Sequence, residues 1–224
     1  IGEVFNVHAL LLEDILTVER PKLEDFEEYL YIVLNAFPDL RPREEIEPDQ
    51  VSIILGPSYV ISIQDRPSPV FDSVRLRLRN ARGRIRRMGA DYLAYSLVDA
   101  VVDGYFTVAE VVGDEIEQIE TELMESPGPD VMRRLQHLRR EILFLRKSIW
   151  PAREVVSSLR RRESPLIHAG TDVFLRDVYD HSIQVVDTLE IFRDMLSGMV
   201  EIYFSAVNNR LNEVMKMLTM IATI

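Results

Sequence analysis

Carboxylates at helical spacing are the main chemistry this sequence offers. Asp180, Asp187, Asp194 and Glu201 fall seven residues apart, and the same step continues to Asn208 and Met215. Positions so spaced form one slowly drifting stripe on a helix. This stripe is acidic over its first half, amide-bearing at Asn208 and Asn212, and apolar by Met215 and Leu218. A solvated helix face would account for it. So would a cation path, in which symmetry copies of the helix line a passage that narrows to an apolar constriction, a device channels use for selectivity and gating. Hard cations such as Mg2+ take carboxylate oxygens and retained water as ligands. Catalytic constellations are lacking. The histidines His8, His137, His168 and His181 show no paired ligand spacing, and there is no glycine-rich phosphate loop and no G-x-S-x-G elbow. An enzyme is therefore not expected.

The acidic stripe needs a helix to carry it. From about Val173 to Ile224 no proline occurs and the only glycine is Gly198. That predicts one helix of roughly fifty residues, on the order of 75 Å long. A seam through Val185, Leu189, Phe192, Leu196, Met199 and Tyr203 alternates three- and four-residue steps, so a partner packs along it. The run from Met217 to Ile224 is uncharged and apolar. A bilayer-spanning helix needs about 20 such residues, so this run reads as the beginning of one.

Upstream, Val98, Val102, Tyr105, Ala109, Val112, Ile116, Ile119 and Leu123 keep a four-three rhythm, and Leu135, Leu138, Ile142, Leu145 and Ile149 resume it after Ser126-Pro127-Gly128-Pro129. The pair predicts an antiparallel helical hairpin, its first arm acidic and its second basic. Trp150-Pro151 is expected to kink or restart the second arm. Nearer the N-terminus, residues 7–18 read as a short helix carrying Glu13 and Asp14. Tyr29 to Leu34 read as a strand, and Val51 to Leu55 with Tyr59 to Ile63 as a hairpin around Gly56-Pro57-Ser58. A hairpin alone is marginal, so a third strand and helices on a face are required. A helix is also expected from Asp72 to Met88. Its seven arginines fit a basic face answering acidic neighbours in so acidic a chain better than a nucleic-acid or lipid-headgroup patch, and no aromatic platform for nucleic acid lies among them.

Composition bounds the partners. The 224 residues carry a net charge of −11 and no cysteine. Disulfides and thiolate metal sites are excluded. Nucleic acid is an unlikely general partner of so acidic a chain, and multivalent cations are natural ones. Mean hydropathy is near zero, which excludes a complete multi-span membrane protein.

Tyr179-Asp180-His181, Asp187-Thr188-Leu189-Glu190, Ser197-Gly198 and above all Asn209-Arg210-Leu211-Asn212-Glu213-Val214-Met215-Lys216 resemble the CorA family of magnesium channels. So do Leu12-Glu13-Asp14-Ile15-Leu16, Arg20-Pro21-Lys22, Asp91-Tyr92-Leu93 and Ser148-Ile149-Trp150-Pro151, in order along nearly the whole chain. The resemblance implies a helix-rich α+β fold. Residues 1–90 would form part of an N-terminal α/β/α sandwich, residues 91–170 a long helical hairpin, and residues 171–224 a stalk helix leading into a first transmembrane helix. It further implies a homopentamer in the cell (inner) membrane with this portion on the cytoplasmic side, and Mg2+ as the ion, with Co2+ able to substitute. Asp14 of one subunit and Asp177 of its neighbour would form the main regulatory metal site, with Glu13 and Asp99 forming a second near Asp177. Glu201, Asn208, Asn212, Met215 and Leu218 would line the pore, the last three at the polar ring and hydrophobic gate. The basic second arm departs from the family's more acidic habit. A zinc-transporting relative of the family and a soluble coiled-coil scaffold are the alternatives.

Overall fold

The computed structural model describes residues 5–17, 19–37, 46–81, 83–161 and 164–223. At its centre, β2 (Leu30–Ala36) and β3 (Asp49–Leu55) pair antiparallel, with Tyr31 opposite Ile54 and Val33 opposite Ser52, and every residue of both is buried. An apolar run without polar alternation demands cover on both faces of a sheet. Leu30, Ile32, Leu34, Val51, Ile53 and Leu55 turn towards the long helices. Tyr29, Tyr31, Val33 and Ile54 turn the other way, onto Val7, Leu11 and Ile15 in and beside α1 (Ala9–Asp14). The expected hairpin is β3 with β4 (Val60–Gln64).

The required third partner of β3 is β2, and β2 is itself covered by β1 (Lys22–Asp25), so the order is β1-β2-β3-β4. β1 has a single apolar residue and left no strand signal. It forms because a tight reversal, with Glu27 at φ 64° and Phe26 N–H donating to the Tyr29 carbonyl at 3.0 Å, folds it back on β2. Charged residues suit such an edge position.

The arginine-rich helix is shorter than expected. After a turn of 3-10 helix (Pro69–Phe71), α2 covers Asp72–Arg79 and stops at Asn80; Ala81 at φ 50° and Gly83 at φ 72° then reverse the chain. Arg75 pairs with Asp72 at 2.9 Å and the Arg84 guanidinium lies over the Phe174 ring, so at least these arginines serve the fold.

The hairpin arms are α3 (Ala90–Glu125) and α4 (Pro129–Arg161), and the stalk is α5 (Ala169–Ala222), starting about a turn before the expected Val173. Pro151 does not break α4. Buried Ile149, Ala152 and Val155 on either side of it hold the helix against the core. Opposite charge does join the arms, through Arg134 to Glu115 at 2.7 Å and to Glu122. α5 lies against both arms, with Arg146 of α4 2.8 Å from Glu190. Gly113 lets α3 approach α5 closely, since a Cβ there would sit 3.2 Å from Phe192 Cζ. One apolar core runs through the sheet and all three long helices, and the Tyr105 hydroxyl of α3 donates to the Asn35 carbonyl at 2.8 Å. On the seam, Val185, Leu189, Leu196 and Met199 are buried, with Phe192 and Tyr203 half-buried. From Glu201 onward α5 is mostly exposed, and no helix among the described residues is long and apolar enough to cross a membrane.

Candidate metal centre

The first turns of α3 and α5 are locked together before either helix reaches the site. Asp91, 4% exposed, accepts hydrogen bonds through Oδ2 from the His168 backbone N–H at 3.0 Å and from Thr171 Oγ1 at 2.6 Å, with His168 Nδ1 at 3.1 Å. Burial alone would raise the Asp91 pKa, but these bonds outweigh it and hold the carboxyl below its usual range. Gly89 makes room, because a Cβ there would meet Asp91 Oδ1 at 2.7 Å.

Two turns further along α3, Asp99 and Asp103 stand four residues apart on one face and meet His181 of α5. One donor atom from each lies within 4.8 Å of the others. Around a small divalent cation with bonds of about 2.1 Å, donors sit roughly 3–4.2 Å apart, so closing on an ion takes no more than about 1 Å of movement by each donor. Two carboxylates and an imidazole suit Co2+ or Zn2+ at least as well as Mg2+. Burial, and then the Asp103 charge, push the Asp99 carboxyl up to about 6; Arg77, His181 and a hydrogen bond from Tyr95 act the other way. His181 rests edge-on against Phe106, its Nδ1 is buried without a hydrogen-bond partner, and its Nε2 is 4.0 Å from Asp177. Asp177 itself is exposed. Asp99 and Asp177 thus share one side of the α3–α5 pair.

Asp14 and Glu13 lie elsewhere. They end α1, on the opposite face of the sheet, and neither joins a metal-ligating group among the described residues. Glu13 is exposed and half-buried Asp14 is engaged: Lys22 Nζ is 2.7 Å from its Oδ2. Burial works against the Lys22 charge, yet hydrogen bonds to Asp14 and Glu24 keep its pKa raised. A metal site uniting Asp14 with Asp177, or Glu13 with Asp99, requires a second copy of the chain. Glu201, Asn208, Asn212, Met215 and Leu218 are all exposed on the part of α5 that has left the core.

Sequence reasoning passed over Asp103 and His181 as donors. The signal was there in the four-residue steps Asp99 to Asp103 and Asp177 to His181, each placing its pair on one helix face. That the two faces oppose each other was not legible from spacing.

The family model described as "CorA-like Mg2+ transporter protein" matches residues 1–224. The "Cobalt/magnesium transport protein CorA" of Thermotoga maritima is 51% identical over 225 residues, covering 100% of this chain and 64% of that protein. The chain therefore spans just under two thirds of that relative's length. Among solved structures, the complete CorA magnesium transporter of Methanocaldococcus jannaschii superposes with a TM-score of 0.83 at 21% identity, over 99% of this chain and 70% of that one. The ZntB cytoplasmic domain of Vibrio parahaemolyticus gives a TM-score of 0.78 at 12% identity, over 93% of this chain and 82% of that one. At such identities these two structures speak for the fold alone.

Proposed function

Because the chain belongs to the CorA family, we propose that it is the metal-sensing and gating portion of a homopentameric Mg2+ channel in the cell membrane, lying on the cytoplasmic side. The observation that carries this reading is the continuity of α5. One helix bears His181 and Asp177 beside Asp99 and Asp103, and further on the unpartnered stripe Glu201, Asn208, Asn212, Met215 and Leu218. From His181 to Asn212 the helix spans on the order of 47 Å. A shift at the donor group is transmitted rigidly along it.

The mechanism is electrostatic. Two carboxylates about 4 Å apart repel by roughly 1 kcal/mol in water and about 4 kcal/mol at an effective dielectric of 20. A divalent ion between Asp14 of one subunit and Asp177 of the next turns that repulsion into a bridge, and a second ion would use Glu13 and Asp99. Bridges around the ring favour a symmetric closed arrangement when Mg2+ is abundant. Their loss loosens the subunits and shifts the population towards conduction. The ion that passes is cargo, met by Glu201 and the amide ring before the apolar constriction at Met215 and Leu218.

The test is Mg2+ flux into liposomes containing the full-length protein, with Mg2+ on the side of this portion varied. Flux that falls as that Mg2+ rises, and stays high in Asp14→Ala/Asp177→Ala, supports the reading. Flux indifferent to it in the wild type overturns the sensing role.

One observation favours a second reading, zinc transport. His181 supplies an imidazole, which suits Zn2+ better than Mg2+, and the ZntB domain shares the fold. Competition between Mg2+ and Zn2+ in the same flux assay separates the two.

A further inference from the structure

The inference rests on the reading of Asp14 as a metal ligand and concerns the cation already beside it. Lys22 Nζ lies 2.7 Å from Asp14 Oδ2, 3.1 Å from Glu24 Oε1 and 3.6 Å from Glu19 Oε2. Three carboxylates converge on one ammonium. The arrangement is held from below by Gln50 of β3, 4% exposed, whose Oε1 accepts from the Glu19 N–H at 2.7 Å and whose Nε2 donates to the Asp14 carbonyl at 3.4 Å. One buried amide therefore fixes the backbone of two of the three acids.

We propose that Lys22 is a tethered competitor of the divalent cation at Asp14: its ammonium occupies the carboxylate while the ion is absent and moves to Glu24 and Glu19 when the ion arrives, setting the ion concentration at which the site responds. An ion bound by Asp14 and an ammonium within hydrogen-bond distance of the same oxygen repel each other strongly, so the two occupy it in turn. The exchange is local. Glu24 stands two residues along β1 from Lys22, hence on the same face of the strand, and keeps the displaced charge neutralised. A lysine suits this role because its ammonium is a compact charge on a flexible stem, whereas an arginine fork would hold the carboxylate in two places. The arrangement gives the chain a cation of its own to be displaced, which sets a threshold for the foreign one.

The test follows Mg2+ and Co2+ titrations of the full-length protein in detergent at fixed ionic strength, read by thermal unfolding. Equilibrium dialysis of Co2+ on the folded protein provides the second readout should Lys22→Met lower the starting stability. Lys22→Met is expected to bring half-saturation to roughly fivefold lower ion concentration, the scale of one partly exposed ion pair. Lys22→Arg stays at or above the wild-type midpoint, and in an Asp14→Asn background the Lys22 substitution has no effect. An unchanged or raised midpoint in Lys22→Met, with Asp14→Asn still weakening binding, overturns the competitor and leaves Asp14 a ligand. If Asp14→Asn binds as the wild type does, the ligand reading falls and the competitor with it.

Discussion

The Asp91 carboxylate on α3 accepts a hydrogen bond from Thr171 Oγ1 on α5 at 2.6 Å, at a point where Thr171 is 1% exposed. With the His168 N–H on the same oxygen, this contact fixes where the stalk begins relative to the first hairpin arm. Everything α5 carries further along, the donor group included, takes its register from here.

Asp91 therefore makes stability depend on pH in a stated direction. Its folded pKa lies below the ordinary value, so its contribution is complete above about pH 4 and is lost as pH falls through the lower folded value. Asp91→Asn should cost about 1–3 kcal/mol at neutral pH. The gap to wild type should close on acidification, as read by denaturant unfolding across pH. Gly89→Ala, which puts a Cβ against Asp91 Oδ1, should act in the same direction.

The crossing of α3 and α5 depends on Gly113. Gly113→Ala asks Phe192 to yield by a few tenths of an ångström and gains up to about 1 kcal/mol of helix propensity, so it should be near neutral. Gly113→Leu overpacks the crossing and should lose roughly 1–3 kcal/mol. Paired melts of the two variants check both signs.

If Asp99, Asp103 and His181 hold an ion, His181→Ala should weaken Co2+ binding more than Mg2+ binding, because imidazole contributes chiefly to the softer ion. Asp99→Asn should weaken both. Calorimetric titration of each ion reads the split, and equal losses for the two ions in His181→Ala would remove the imidazole from the donor set.

Much of this was legible beforehand, for identifiable reasons. The periodicity of Val98 to Leu123 and of Val185 to Tyr203 states which faces are buried, and the near-continuous apolar runs 30–34 and 51–55 mark the two strands that end up covered on both faces. β1 was invisible because Lys22-Leu23-Glu24-Asp25 has no pattern of its own and becomes a strand only through the turn that lays it on β2. α2 was overextended because arginines favour helix, and the left-handed residues Ala81 and Gly83 decide otherwise. In the site, the sequence offered the acids only as residue types at helical spacing. Their partners were not readable, since Lys22 reaches Asp14 through the fold of β1, and His181 reaches Asp99 through the α3–α5 packing.

The most direct test of the account is thermal unfolding of the full-length protein with and without millimolar Mg2+, in wild type and in Asp14→Ala/Asp177→Ala, at fixed ionic strength. A ligand that binds only the folded assembly raises its stability. The account predicts a large Mg2+-dependent rise in wild type and a much smaller one in the double variant, which keeps only the second site with Glu13 and Asp99. An equal rise in both would contradict it, and would move the bound metal to Asp99, Asp103 and His181 or to the pore stripe.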